Sequence, residues 1–122
     1  METFERAALV AKLADEKKAA DITILDVRGL CNFADAFLIC TGNNRVHLNA
    51  ISDAIGTGMK RIQKRPALED GHRNASWVVM DYGDVIIHIM SPEARSFYRL
   101  EKLWGDAKDV AWTPATPAET TN

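Results

Sequence analysis

The chain is poor in the residues from which metal centres and disulfide frameworks are built. Two cysteines, Cys31 and Cys40, occur in 122 residues. They form no CxxC pair and no paired-histidine motif accompanies them, which speaks against a zinc site and leaves two reduced thiols. A run of about 18 apolar residues, the length of a helical membrane span, is also missing. The segment Met1-Glu2-Thr3-Phe4-Glu5 lacks the basic-then-apolar form of a signal peptide, so a cytoplasmic protein is expected. Nor is there an excess of positive charge: the formal net charge is −2 and the pI is near 5.9. Phosphate backbones are bound by clustered basic surfaces, so no direct nucleic-acid specificity is expected, whereas a locally basic protein partner stays open.

Catalytic signatures are equally scarce. His47, His72 and His88 show no HxxxH or HxH spacing, and no G-x-S-x-G elbow is present. Gly42-Asn43-Asn44 lies between a strand and a helix, but it has one glycine and matches neither GxGxxG nor GxxxxGK[ST]. Asp81 and Asp84 flank a turn. They suit either a carboxylate pair for Mg²⁺ or side chains that bond the turn backbone, and the turn role is favoured. No cofactor is expected.

What is present fits one α/β domain over residues 1–107, with 108–122 read as a disordered tail rich in Ala, Thr and Pro. Residues 4–19 read as a helix. Residues 21–28 (DITILDVR) form an Ile/Val/Leu-rich strand expected to be buried on both faces, and Ala36–Thr41 a second apolar strand. Asn44 caps a helix to about Lys64, with Leu48, Ile51, Ile55, Met59 and Ile62 on one side. Gly56 and Gly58 weaken it by about 1 kcal/mol each relative to alanine, and either a close helix–sheet contact or a frayed end accounts for them. Pro66 ends it, and a short strand is placed near Ala67-Leu68. Residues 77–90 read as a β-hairpin. Ser91-Pro92-Glu93 then opens a helix to Trp104, with Gly105 as its stop.

The hairpin has two unlike faces. Strand alternation over an even-length turn puts Val78, Met80, Val85, Ile87 and Ile89 together, a purely aliphatic core face. Trp77, Val79, Asp81, Asp84, Ile86, His88 and Met90 share the other, which matches neither a solvated nor a plain core face. Such apolar patches rimmed by polar groups mark binding surfaces; cover by the final helix is the alternative. Phe97, Leu100 and Trp104 make one stripe expected to pack inward. Tyr98 lies about 100° round from Phe97, beside Arg95, Glu101 and Lys102, where it can extend an exposed patch.

The runs KKAADITILDVRGL, ADAFLICTGNNRVHLNAI and WVVMDYGDVIIHIMSPEARSFYRLEKLWGDA resemble the Iojap/RsfS ribosomal silencing factors from about Ala8 to Ala107. W-V-x-x-D-x-G-D-V-I-x-H followed by R-x-x-Y-x-L-E-x-L-W is the most specific block. The resemblance implies an α/β fold: a mixed β-sheet flanked by helices, similar to a nucleotidyltransferase core without its catalytic carboxylates. It implies a non-enzymatic repressor that binds ribosomal protein fourteen of the large ribosomal subunit, blocks joining of the small subunit when nutrients are scarce, and forms dimers. The surface-exposed signature residues that carry over, and that are expected to bind the ribosomal protein, are Trp77, Asp81, Asp84, His88, Arg95, Tyr98, Glu101 and Trp104. One departure stands at Thr41-Gly42-Asn43-Asn44, where family members usually read T-G-T-S or T-G-S-S. The competing reading is a reduced nucleotidyltransferase-like enzyme using Asp81 and Asp84 with Mg²⁺.

Overall fold

A computed structural model describes residues 2–62, 68–70 and 76–112. The elements are α1 (Thr3–Glu16), β1 (Ala20–Asp26), β2 (Ala36–Thr41), α2 (Arg45–Arg61), β3 (Leu68–Asp70), β4 (Trp77–Asp81), β5 (Val85–Met90), α3 (Pro92–Tyr98), α4 (Leu100–Leu103) and β6 (Lys108–Asp109). The strands form one sheet in the order β3-β4-β5-β2-β1-β6. Only β2 and β5 run parallel; the other pairs are antiparallel, so the sheet is mixed, as expected.

Central β2 is buried along its whole length because every residue of AFLICT is apolar or small and both sheet faces are covered there. Strand β1 departs from the same expectation. Its first half is exposed or half-buried, and only Ile24 and Leu25 are fully inside. Asp21 has φ +49, and the β1–β2 register shifts between Ala20 and Thr23, which turns the strand's start away from the core.

One sheet face carries the larger core. Val10, Ala11 and Ala14 of α1 and Leu48, Ile51, Ile55 and Met59 of α2 pack against Leu38, Cys40, Val78, Met80, Ile87 and Ile89. Each large side chain buried there contributes about 1.5–3 kcal/mol. Asn44 caps α2 as expected, its Oδ1 accepting from the His47 N–H at 2.9 Å. Gly58 marks neither a contact with the sheet nor a frayed end: it lies against helix α1, where a Cβ would collide with the Leu13 side chain. Helix α2 ends at Arg61 with Ile62 as its cap. Residues 63 and 64, Pro66 and Ala67 lie outside the described residues; Leu68 opens β3, near the short strand expected there.

Two expectations near the C-terminus are corrected. The last helix is not continuous to Trp104: Arg99 takes φ +50 and ψ +55, closing α3 and starting α4. The fold also continues past residue 107. Lys108 and Asp109 pair with Asp26 and Leu25, the Val110 N–H donates to Ile24 O at 2.8 Å, and Val110 and Trp112 pack on the larger core. That segment covers an edge of β1 that would otherwise leave backbone groups unpaired. Residues 113–122 lie outside the described residues.

Candidate functional site

The hairpin facing follows the alternation. Val78 pairs with Ile89 and Met80 with Ile87 on the core face, while Trp77 pairs with Met90, Val79 with His88 and Asp81 with Ile86 on the other. In the turn, Asp81 Oδ1 accepts from the Gly83 N–H at 2.7 Å, and Gly83 sits at φ +90. That is the Asx-type turn role read from the sequence. Asp84 leaves the mixed face. It belongs to the turn rather than to a strand, so alternation does not govern it. Its carboxylate accepts from Thr3 Oγ1 at 2.7 Å and forms an ion pair with the buried Arg6 of α1. The two carboxylates are therefore committed to separate tasks. Among the described residues no group of three or more His, Cys, Asp or Glu side chains is placed to hold a metal ion.

Among the described residues, the mixed face is covered over one half and open over the other. Ala94 and Leu100 close on Leu25, Val27, Phe37, Ile39, Ile86 and Met90 in a second buried cluster. Arg95 holds this cover down. Its guanidinium donates to Asp21 O at 2.6 Å, Thr41 Oγ1 at 2.9 Å, Thr23 Oγ1 at 3.2 Å and, through Nε, Glu101 Oε2 at 2.8 Å, with which it also forms an ion pair. Its side chain is 13% exposed. Arg95 and Glu101 thus clamp α3 and α4 to β1 and β2 and do not extend the open patch.

Beyond the cover, Trp77, Val79, Asp81 and His88 stay half-buried. An aromatic chain runs across the face. Phe33 and Trp104 flank Phe37, Phe37 meets His88 edge-on at 5.4 Å, Trp77 lies 5.8 Å from His88, and Tyr98 lies 4.6 Å from Trp77. The expected inward stripe of Phe97, Leu100 and Trp104 is split by the break at Arg99. Leu100 is buried and Trp104 half-buried, but Phe97 is 79% exposed, edge-on to Tyr98, itself 50% exposed. At the other end Phe33 is 57% and Leu103 71% exposed. Sequence reasoning missed Phe97, Phe33 and Leu103 as surface groups; a phenylalanine in the loop after Gly29 was the one available sign.

Burial pushes the Cys40 thiol up to about 12, so it is no nucleophile. Burial lowers His88 to about 4, which keeps its ring neutral. A cleft of about 590 Å³ borders the patch between the start of α2 and α3, with Phe97 and Tyr98 on its wall.

Comparison with known proteins agrees with this architecture. The family model described as "Ribosomal silencing factor during starvation" matches residues 1–122. The ribosomal silencing factor RsfS of Halalkalibacterium halodurans is 36% identical over 114 residues, covering 90% of this chain and 94% of that protein. The chloroplastic protein Iojap of Zea mays is 38% identical over 110 residues, covering 89% of this chain and 47% of that longer protein. A crystal structure of a Chromobacterium violaceum protein superposes with a TM-score of 0.83 at 28% identity, covering 98% of this chain and 100% of that one. With a family match along its whole length and relatives of this similarity, the chain belongs to the RsfS family of ribosomal silencing factors, in which the Iojap proteins are also found.

Proposed function

We propose that this chain acts in the cytoplasm as a non-catalytic repressor of translation. It docks through the open half of its second sheet face on ribosomal protein fourteen of the large subunit and sterically hinders joining of the small subunit when nutrients are scarce. The observation that carries this reading is the surface of Trp77, Tyr98 and Phe97. Phe97 and Tyr98 are exposed on α3 and Trp77 lies half-buried beside them on β4, so the surface is aromatic and continuous, and large side chains with few rotatable bonds anchor a partner at low entropic cost. The net charge of −2 suits a locally basic partner. Family membership supplies the ribosome as the target class.

Within this reading the signature residues divide by task. Trp77 and Tyr98 make contact, joined by Phe97 from outside the signature set, and Trp104 extends the rim with Phe33, also outside it. His88, Arg95, Glu101, Asp81 and Asp84 hold that surface in shape. The test is co-sedimentation with separated ribosomal subunits. The parent protein should pellet with large subunits alone. Trp77→Ala combined with Tyr98→Ala should stay in the supernatant, with binding weakened at least about 100-fold, as for loss of hot-spot aromatics. Undiminished pelleting of that variant, folded by circular dichroism, would reject the surface assignment.

A further inference from the structure

Trp77 has one polar atom, the indole Nε1–H, which donates and cannot accept. It donates to His88 Nδ1 at 3.1 Å. The pair sits diagonally across the β4–β5 ladder, since Trp77 is opposite Met90 and His88 opposite Val79. For Nδ1 to accept it must keep its lone pair, so the ring is neutral with its proton on Nε2. Nε2 is shielded from solvent and has no hydrogen-bond partner among the described residues. The neighbouring ring is Phe37, edge-on at 76°. A buried N–H without a partner is costly, and an apolar ring of the same size would fill this place better. Packing therefore gives no reason for a histidine at position 88. The acceptor it offers to Trp77 does.

We infer that His88 is a positioning residue for docking: through Nδ1 it fixes the indole of Trp77 in the orientation that lies tilted against Tyr98 and presents the ring to the partner. The inference rests on the reading that Trp77 and Tyr98 form the contact. It has a chemical consequence. With the indole N–H already engaged inside the protein, Trp77 meets its partner through its ring surface and not through a hydrogen bond.

Two substitutions separate positioning from packing. His88→Phe keeps the ring and removes the acceptor; His88→Asn returns an amide oxygen close to the Nδ1 position. His88→Phe should unfold at or above the parent temperature yet bind purified large subunits about tenfold more weakly, the scale of one lost hydrogen bond. His88→Asn should bind within about threefold of the parent, being able to restore that bond. The Nε1–H resonance of Trp77, identified among three tryptophans by its loss in Trp77→Phe, should move in His88→Phe and return toward its place in His88→Asn. If His88→Phe does not fold, His88→Leu takes its place in the same comparison. Full binding by the acceptor-less variant, where Trp77→Ala abolishes binding, overturns the positioning role and leaves the docking reading standing. Full binding by Trp77→Ala overturns both.

Discussion

At the scale of single residues, the chemistry of the open face is concentrated in His88. An unfolded chain takes up its imidazole proton near the ordinary value of 6.5, while burial holds the folded ring down to about 4. As pH falls through that window the unfolded state binds a proton that the folded state refuses, so stability declines with acidity. At about 1.4 kcal/mol per unit, the loss contributed by this group reaches up to about 3 kcal/mol near the bottom of the window. Urea titrations from pH 7 to pH 4.5 on the parent and on His88→Phe should show the stability difference shifting in favour of the variant by about 2–3 kcal/mol. Parallel curves would mean that the ring is not shielded as described. The residues legible in the sequence at this scale, Asn44, Asp81 and Ser91, bond to backbone within three positions of themselves. Local chemistry suffices to place them. Asp84 was misplaced because its partners, Thr3 and Arg6, are about eighty positions away.

At the scale of elements, the short α3–α4 cover depends on Arg95. Neither helix buries enough apolar surface to hold itself, since Ala94 and Leu100 are their buried residues. The clamp supplies bonds to both β1 and β2 and an ion pair across the break. Arg95→Ala removes it and leaves the half-buried Glu101 without its cation. A loss of about 2–4 kcal/mol is expected in denaturant titration, because a charge-assisted network with little solvent access is broken. Amide exchange should accelerate over residues 92–104 more than in β2. Uniform acceleration across the sheet would show that the cover is not a separate unit. The start of α3 was legible from Ser91-Pro92-Glu93. Its end was not, because a left-handed Arg99 is unfavourable locally and is chosen by what it achieves: Leu100 turns inward and Phe97 stays out.

At the scale of the whole molecule, the sheet is asymmetric by design of its layers. Among the described residues, two long helices seal one face, two short ones seal half of the other, and the remainder is an aromatic surface over the packed sheet. The edge beyond β1 is closed by β6, Val110 and Trp112. A chain ending at Ala107 should therefore lose about 2–4 kcal/mol, from two partly buried apolar side chains and the exposed edge of β1. Thermal unfolding of that truncation measures it. An unchanged midpoint would return residues 108–112 to the status of a tail. Because this edge lies on β1 and the contact residues Trp77, Phe97 and Tyr98 lie on β4 and α3, the truncation should leave subunit binding intact wherever it remains folded.

The sequence by itself determined most of the elements, the hairpin, the facing of its strand residues, the caps and the family, because each depends on side-chain period or on bonds made within a few residues. Hydrophobic alternation fixed which hairpin side chains point together. Tertiary structure alone decided which of those faces stays open, because cover is a matter of distant segments arriving. Arg95 must reach β1, Arg6 must reach Asp84, and the chain beyond residue 107 must return to the sheet edge. A one-dimensional pattern records the direction in which a side chain points, not what comes to rest against it.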